Sequence, residues 1–255
     1  MNQDMRSLLR QYETQPVEIR DITYPAPYQD EHWLLVIPST NLLEMMEEAA
    51  AESDSFTAAV QTSIANSEQL TFTDGLRRSI SWLLEYNELP AEYEPLEKLS
   101  TAQLYAAYRQ VQESEQPLHM LDEQLVATSS TLPVPDAHWA ECRQEDGAFW
   151  LKLPQGREYE APALIAMGGY NECPLPEIQI AVFRAWQQQY GALPIAVSEN
   201  VWILRAARRP QTDEEALALA RQHMLFCQYV LEHFDTVGEY ARYLQQQDIW
   251  YFWWD

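Results

Sequence analysis

The order of hydrophobic patterns after residue 147 constrains the fold of this chain more than any other feature. Short apolar runs of strand type and longer helical patterns follow each other in the order strand, strand, helix, strand, strand, helix, helix, strand. The last two helices each open with a capping box, Thr212 with Glu215 and Thr236 with Glu239. This order predicts an α/β or α+β fold in which helices cover a mostly buried mixed sheet.

The five strands of this region are expected where apolar residues run together. Their expected positions are 148–153, 163–167, 193–197, 201–207 and 249–254. A helix is expected between the second and third strands, from about Pro176 to Tyr190, with proline in its tolerated first turn. The final strand closes the predicted sheet with aromatic residues.

The first half of the chain has a different composition. Residues 1–140 carry 23 acidic and 7 basic side chains (net −16), whereas residues 141–255 carry 16 and 9 (net −7). Two Ser, one Thr and two Pro in residues 129–136 are typical of a linker. We therefore expect an acidic, mainly helical N-terminal part at 1–130 and a Trp-rich α/β domain at 131–255.

A short sheet segment is also expected in the N-terminal part. Residues 17–24 alternate apolar and polar side chains, and residues 33–37 form a continuous apolar run. Helices are then predicted to start near Asn41, Asp54 and Ser100, with a further one from Asp74 through Glu88.

The net charge limits the classes of partner. The chain has 39 acidic and 16 basic residues, a formal charge of −23, and only two lysines. Nucleic acids and anionic membranes bind through Lys and Arg, so neither is an expected partner. A basic protein would be steered towards this surface. The alternative is that the charge serves solubility alone.

The termini and cysteines indicate a cytoplasmic location. The first fifteen residues carry charges every few positions and lack the apolar stretch of an export signal. No apolar run approaches the roughly 20 residues of a membrane span. Cys142, Cys173 and Cys227 are odd in number and form no CxxC, which is typical of a reducing compartment.

One predicted helix carries a stripe of carboxylates that is a candidate binding face. Glu44, Glu47, Glu48 and Glu52 recur at three- and four-residue spacing. Like charges four residues apart cost some helix stability, which indicates either tolerance or use. A solvated helix face is the alternative interpretation.

The segment from Gly168 to Pro174, GGYNECP, is a second candidate. Gly168, Gly169 and Asn171 form a flexible connection, and Cys173 precedes a helix whose N-terminus favours a thiolate. His223 is a possible base for such a nucleophile. The alternatives are a tight connection with a buried thiol and, for His223 with Cys227, two metal ligands on one helix face. We predict no cofactor and no metal.

The aromatic end of the chain is a third candidate. If residues 250–254 are extended, their side chains alternate between two faces. One face would enter the core, and the other would leave aromatic surface for binding, with Trp253, Trp254 and Asp255 as candidates. A strand buried on both faces explains the same residues.

The GGYNECP segment, Ile180, Trp186, the Tyr190-Gly191 pair, the helix at 214–227 and the closing WYFWWD resemble a bacterial family called domain of unknown function 4253. The resemblance covers about residues 146–255 and implies no catalytic residue. Some members of that family resemble immunity proteins encoded beside secreted toxins. We therefore expect a protein-binding module, plausibly an immunity protein for a basic toxin. A Cys-based hydrolase or transferase using Cys173 and His223 is the alternative.

Overall fold

A computed structural model describes residues 5–25, 32–85, 87, 90, 93, 95–115, 118–143 and 147–255, to which all structural statements here refer. Its strands form one sheet in the order β1-β3-β2-β4-β5-β6. They are β1 (Thr14–Pro16), β2 (Trp33–Val36), β3 (Phe149–Lys152), β4 (Leu193–Val197), β5 (Val201–Arg205) and β6 (Ile249–Trp253). The predicted α/β class is confirmed.

The sheet is mixed because one of its pairs is parallel. β2 runs parallel to β4, and all other neighbours are antiparallel. β2 comes from the N-terminal part yet lies between β3 and β4 of the C-terminal part. The two parts therefore share a single sheet rather than forming one each.

Helices connect and cover the strands. They are α1 (Met5–Leu8), α2 (Thr40–Ala51), α3 (Phe56–Glu68), α4 (Phe72–Ser79), α5 (Ser81–Glu85), α6 (Thr101–Glu115), α7 (Ala137–Glu141), α8 (Ala161–Ile165), α9 (Pro176–Tyr190), α10 (Asp213–Phe226) and α11 (Val237–Gln246). The predicted caps are present: Thr212 Oγ1 accepts from Glu215 N at 3.1 Å and Thr236 Oγ1 from Glu239 N at 3.0 Å.

The core between the sheet and helices α9 and α10 is aromatic. Trp186 of α9 is fully buried and stacks on Phe252 of β6, with ring centroids 5.3 Å apart. Phe183 meets Trp202 of β5 edge-on at 5.6 Å, and Phe226 meets Trp186 at 5.2 Å. Aromatic contacts of this kind add about 0.5–1.5 kcal/mol beyond area burial. The C-terminal part thus supplies the most densely aromatic region of the core.

Two predicted strands are wrong. Residues 163–167 lie in and just after α8, which begins with proline in its first turn and ends at Ala166 in the left-handed conformation, φ 55°. A five-residue apolar run fits a buried helix as well as a strand. Residues 17–24 contain a 3-10 helix at Ile19–Asp21 and no strand. Alternating apolar and polar residues indicate which side chains are buried, but they do not establish pairing with another strand.

The helix predicted from Asp74 through Glu88 is two helices. α4 starts at its N-cap Thr71, where Asp74 completes a capping box, and it ends at Ile80. α5 follows at once, and Glu88 lies outside the described residues. Asp and Thr are both good N-cap residues, so the sequence alone does not decide whether the helix begins after Thr71 or after Asp74.

The predicted linker at 129–136 has no regular secondary structure. Leu132 is buried, and Thr128 Oγ1 and Ser130 Oγ both donate to Glu239 Oε1, at 2.7 and 3.3 Å. The residues that precede the linker also contact α11. Asp122 O accepts from Gly238 N at 2.8 Å, and a Cβ at Gly238 would lie 2.0 Å from Gln124 O. The domain division at 130/131 stays a prediction, and the shared sheet implies that the parts remain associated.

Candidate functional site

The sheet topology places three chain segments at one edge. β2 and β4 are parallel, so their carboxyl ends point the same way. β6 is antiparallel to β5, which is antiparallel to β4, so the carboxyl end of β6 lies at that edge too. Crevices at the carboxyl ends of strands are common ligand sites in α/β proteins.

A cleft of about 420 Å³ opens at this edge. It has the size of an ordinary ligand pocket, about 300–1,000 Å³. Its described lining consists of carboxylates, amides, one tyrosine and one methionine: Asn41, Glu44, Met45, Glu48, Tyr170, Asn171, Glu199, Asn200 and Asp255. No Lys or Arg stands among these described residues. We call this cavity the acidic cleft.

The first wall of the acidic cleft is α2, which starts directly after β2. Ser39 caps the helix by accepting from Leu42 N at 3.1 Å. Leu42 and Met46 face the core, and this orientation leaves Glu44 and Glu48 on the opposite, open side. The two glutamates are four residues apart and therefore share a helix face.

The second wall is the loop between α8 and α9. Gly168 and Gly169 have φ of 133° and 80°, and Asn171 has φ of 43°, a region that favours glycine and tolerates asparagine. A Cβ at Gly168 would lie 2.1 Å from Pro174 O. The segment is therefore the tight connection with a buried thiol that the sequence offered as one interpretation, and its backbone requires glycine at position 168.

Two side chains of this loop attach it to the other segments of the cleft. Tyr170 Oη donates to Glu199 O at 2.8 Å, and Asn171 Nδ2 donates to Asp255 O. These bonds hold the loop against the β4–β5 turn and against the end of β6. The carboxylates of Glu199 and Asp255 are thereby placed opposite those of α2.

Gln179 holds the two ends of the same loop by hydrogen bonds from its buried side chain. Sequence reasoning missed this residue. Its side chain is fully buried, and Nε2 donates to Met167 O and to Pro174 O, both at 2.7 Å. Its Oε1 accepts from Trp202 Nε1 at 2.7 Å. Gln179 therefore connects the cleft loop to the aromatic core. Nothing in the sequence separates it from the other glutamines of α9.

A second cavity of about 480 Å³ lies next to the acidic cleft along α2. Both cavities are lined by Met45 and Glu48. The remaining lining of the second cavity consists mostly of small residues, together with two glutamates and three larger apolar residues: Ala49, Glu52, Ser53, Phe56, Ala59, Thr62, Ser63, Asn66, Ala163, Ala166, Gly168, Gly169, Leu175, Pro176 and Glu177. We call the two cavities together the α2 groove.

The structure divides the predicted glutamate stripe. Glu44 and Glu48 line the acidic cleft, and Glu48 and Glu52 line the second cavity. Glu47 is exposed and lines neither cavity. One residue rotates a helix by about 100°, which turns Glu47 away from the face that Glu48 occupies.

Cys173 does not have the surroundings of an activated nucleophile. It is buried, and desolvation raises the pKa of its thiol well above the ordinary value, although a hydrogen bond with Tyr170 opposes the shift. Its nearest polar groups include Gln179 Nε2 at 3.8 Å and Pro174 O at 4.0 Å. The thiol form is favoured, whereas nucleophiles need the thiolate.

His223 lies in the aromatic core. It is fully buried, with ring centroids 4.6 Å from Trp250 and 4.7 Å from Trp186, and its Nδ1 is 2.7 Å from Tyr240 Oη. Burial lowers its pKa well below the ordinary value, so the ring is neutral. Its hydrogen-bond partner is Tyr240 and not Cys173, and these surroundings disfavour the Cys173–His223 pair as catalytic machinery.

Cys227 also serves packing. Its Sγ donates to Trp253 O at 3.0 Å, and desolvation raises its pKa to about 12.

Among the described residues, no three His, Cys, Asp or Glu side chains are grouped to hold a metal ion. The described part also contains no helix that combines the length and apolar character required to cross a membrane.

The aromatic end of the chain alternates between two environments. Trp254 is fully buried and meets Phe226 at 5.4 Å, so it belongs to the core and offers no binding surface. Trp253 is partly exposed and packs edge-on against Tyr229 at 5.1 Å. Asp255 is exposed and lines the acidic cleft. The period of two in a strand separates these neighbours.

Comparison with known proteins agrees with the resemblance read from the sequence. Residues 150–255 match the family model described as Domain of unknown function (DUF4253). We call residues 150–255, the part of the chain that matches this model, the DUF4253 domain. No curated protein and no solved structure matches the chain.

The DUF4253 domain supplies only part of the acidic cleft. Tyr170, Asn171, Glu199, Asn200 and Asp255 lie within the matched residues. The α2 wall lies outside them. Sequence reasoning missed Glu199 and Asn200 as cleft residues, because their place in the cleft depends on the parallel pairing of β2 with β4.

Proposed function

We propose that this protein is a binding module that accepts a Lys or Arg side chain of a basic protein partner in the acidic cleft. The observation that carries the proposal is a cleft lined by four acidic residues from separate places in the chain. Glu44 and Glu48 come from α2, Glu199 from the β4–β5 turn and Asp255 from the end of β6. No basic residue of the described lining balances them.

A basic side chain fits this arrangement chemically. Hydrogen bonds between an ammonium or guanidinium group and carboxylates are about twice as strong as neutral ones. The amides of Asn41, Asn171 and Asn200 add further acceptors around the cleft.

The kind of partner follows from charge and family. The formal charge of −23 steers basic proteins towards this surface. The likeness of some DUF4253 members to immunity proteins supports a basic bacterial toxin as the partner. A cytoplasmic location, where such a partner would be neutralised, is part of the same proposal.

The test compares two variants of equal net charge. Glu44→Gln with Glu48→Gln removes two charges from the acidic cleft, whereas Glu47→Gln with Glu97→Gln removes two exposed charges outside it. The partner is first identified by pull-down with the parent protein, and association is then measured by surface plasmon resonance. We expect the cleft variant to weaken binding by about tenfold or more, since a charge-assisted hydrogen bond contributes about 1.5–3 kcal/mol.

The salt dependence of the rates supplies a second readout. For the parent and the control variant, association should slow as the screening length shrinks to about 8 Å at physiological salt. The cleft variant should lose affinity mainly through faster dissociation, because it lacks buried charge pairs. Equal affinities of the cleft and control variants would contradict the proposal.

A further inference from the structure

We infer that the α2 groove binds an extended segment of the partner, with a basic side chain in the acidic cleft and an apolar side chain beside Leu175. This inference rests on the proposed function and specifies the form of the partner. It makes the two adjoining cavities one recognition site with two different ends.

The continuity of the groove carries the first step. Met45 and Glu48 line both cavities, so the two cavities are neighbours along α2 and one extended occupant can contact both. The groove follows α2 from Asn41 to Glu52, about 16 Å at about 1.5 Å per residue. An extended chain rises about 3.3 Å per residue, so about five residues span this length.

The chemistry of the two ends carries the second step. The acidic cleft is lined by four carboxylates and three amides. The second cavity is lined by Phe56, by several alanines and by Leu175, which is 47% exposed and stands out in a chain whose large apolar residues are mostly buried. Charge complementarity places the basic side chain at the first end, and the apolar side chain then falls near Leu175.

The charges along the groove support a chain that carries more than one positive group. Glu52 and Glu177 line the second cavity in addition to Glu48, and no Lys or Arg occurs in its described lining. A small polycation such as spermine satisfies the carboxylates but leaves Leu175 and Phe56 unused. An extended basic-apolar segment satisfies both sets of contacts.

The experiment uses display of random eight-residue peptides selected against the intact protein. We expect enriched peptides to carry Arg or Lys with Leu, Ile, Met or Phe three to five positions away. The strongest is then synthesised with a fluorophore and titrated by anisotropy. We expect about tenfold weaker binding to the Glu44→Gln, Glu48→Gln variant and about three- to tenfold weaker binding to Leu175→Ser.

The matched control is the Glu47→Gln, Glu97→Gln variant, which should bind the peptide like the parent. Thermal unfolding of each variant checks that the fold persists, and Leu175 and the four glutamates are exposed enough for this to be expected.

Absence of any enrichment, enriched peptides without a basic residue, or affinities unchanged by both groove variants would overturn the inference. Spermine is tested as a competitor of the peptide. If spermine displaces the peptide and binds more tightly than the peptide does, the groove is a site for small polyamines, and this result would also overturn the inference. If the folded partner loses affinity for the cleft variant while no peptide binds, the proposed function stands and only the extended-segment inference falls.

Discussion

Helices α9 and α2 lie on two sides of the same groove and contribute to the molecule in opposite ways. α9 buries eight residues, among them Gln179 and Trp186, against the sheet and its neighbours. α2 buries only Leu42 and Met46 and exposes its carboxylates. α9 belongs to the DUF4253 domain, whereas α2 precedes it.

This difference separates stability from recognition. Substitutions in α9 disturb a close-packed interior, where lost contacts and unpaired polar groups are costly. Substitutions on the open face of α2 change charge and shape at the groove with little effect on folding. We therefore expect the DUF4253 domain to supply the scaffold and one side of the groove, and substitutions on the open face of α2 to change partner binding at little cost in stability.

The largest effect that would sharpen this comparison is expected at Gln179. Gln179→Leu leaves Trp202 Nε1, Met167 O and Pro174 O without their partner. Each buried polar group left unpaired costs about 1–3 kcal/mol, so the free energy of unfolding should fall by at least about 3 kcal/mol. Urea denaturation measures it, with the exposed Gln188→Leu on the same helix as control. A loss below that of the control would contradict the role given to Gln179.

Thiol reactivity is expected to show the next largest difference. Cys142 is exposed, whereas Cys173 and Cys227 are buried. A pKa of about 12 leaves Cys227 with a thiolate fraction on the order of a thousandfold below that of an ordinary thiol at pH 8. Mass spectrometry after iodoacetamide treatment should find Cys142 labelled first and the other two far later. Rapid labelling of Cys173 would restore the hypothesis of a Cys173–His223 enzyme.

The buried His223 predicts that the protein loses stability as the pH is lowered. Its pKa is lowered in the folded state, so below pH 6.5 the unfolded chain binds a proton that the folded chain does not. Its contribution to stability is full well above the ordinary histidine pKa and is lost as the pH falls below that value. As the pH is lowered from 7.5 to 5, the parent should lose more free energy of unfolding than His223→Leu in urea denaturation. Parallel pH profiles would show that His223 accepts a proton within the fold.

The smallest effect is expected where the two parts of the chain meet. Glu239→Ala removes the acceptor of Thr128 and Ser130, worth about 1 kcal/mol. Limited proteolysis between residues 129 and 137 should then be about fivefold faster than in the parent, if cleavage follows local opening. Glu214→Ala, on the exposed start of α10, is the control.

The same digestion tests the predicted division at 130/131. Because β2 lies between β3 and β4, the two fragments should elute together in gel filtration after a cut in this segment. Fragments that separate and stay folded would show two independent domains. If the protease cuts the parent protein first at another position, the prediction that residues 129–136 are an exposed linker is wrong.

The sequence predicted the elements whose signals are local. The apolar runs gave β2 to β6, and the Ser and Thr caps located the starts of α6, α10 and α11. It was wrong at 163–167, where a short apolar run fits either kind of element. It did not separate Glu47 from Glu44 and Glu48, because the helix face that lines the cavities depends on which side of α2 is buried. It also missed Gln179, which acts through distant partners.

By itself, the sequence determined the α/β class, the acidic character and the DUF4253 identity of residues 150–255, because composition, periodicity and motif spacing are properties of neighbouring residues. Only the tertiary structure decided that Glu44, Glu48, Glu199 and Asp255 share one cleft, that Trp254 is core, and that Cys173 and His223 are buried apart from it. The parallel pairing of β2 with β4 joins residues about 160 positions apart, and no local pattern encodes such a long-range contact.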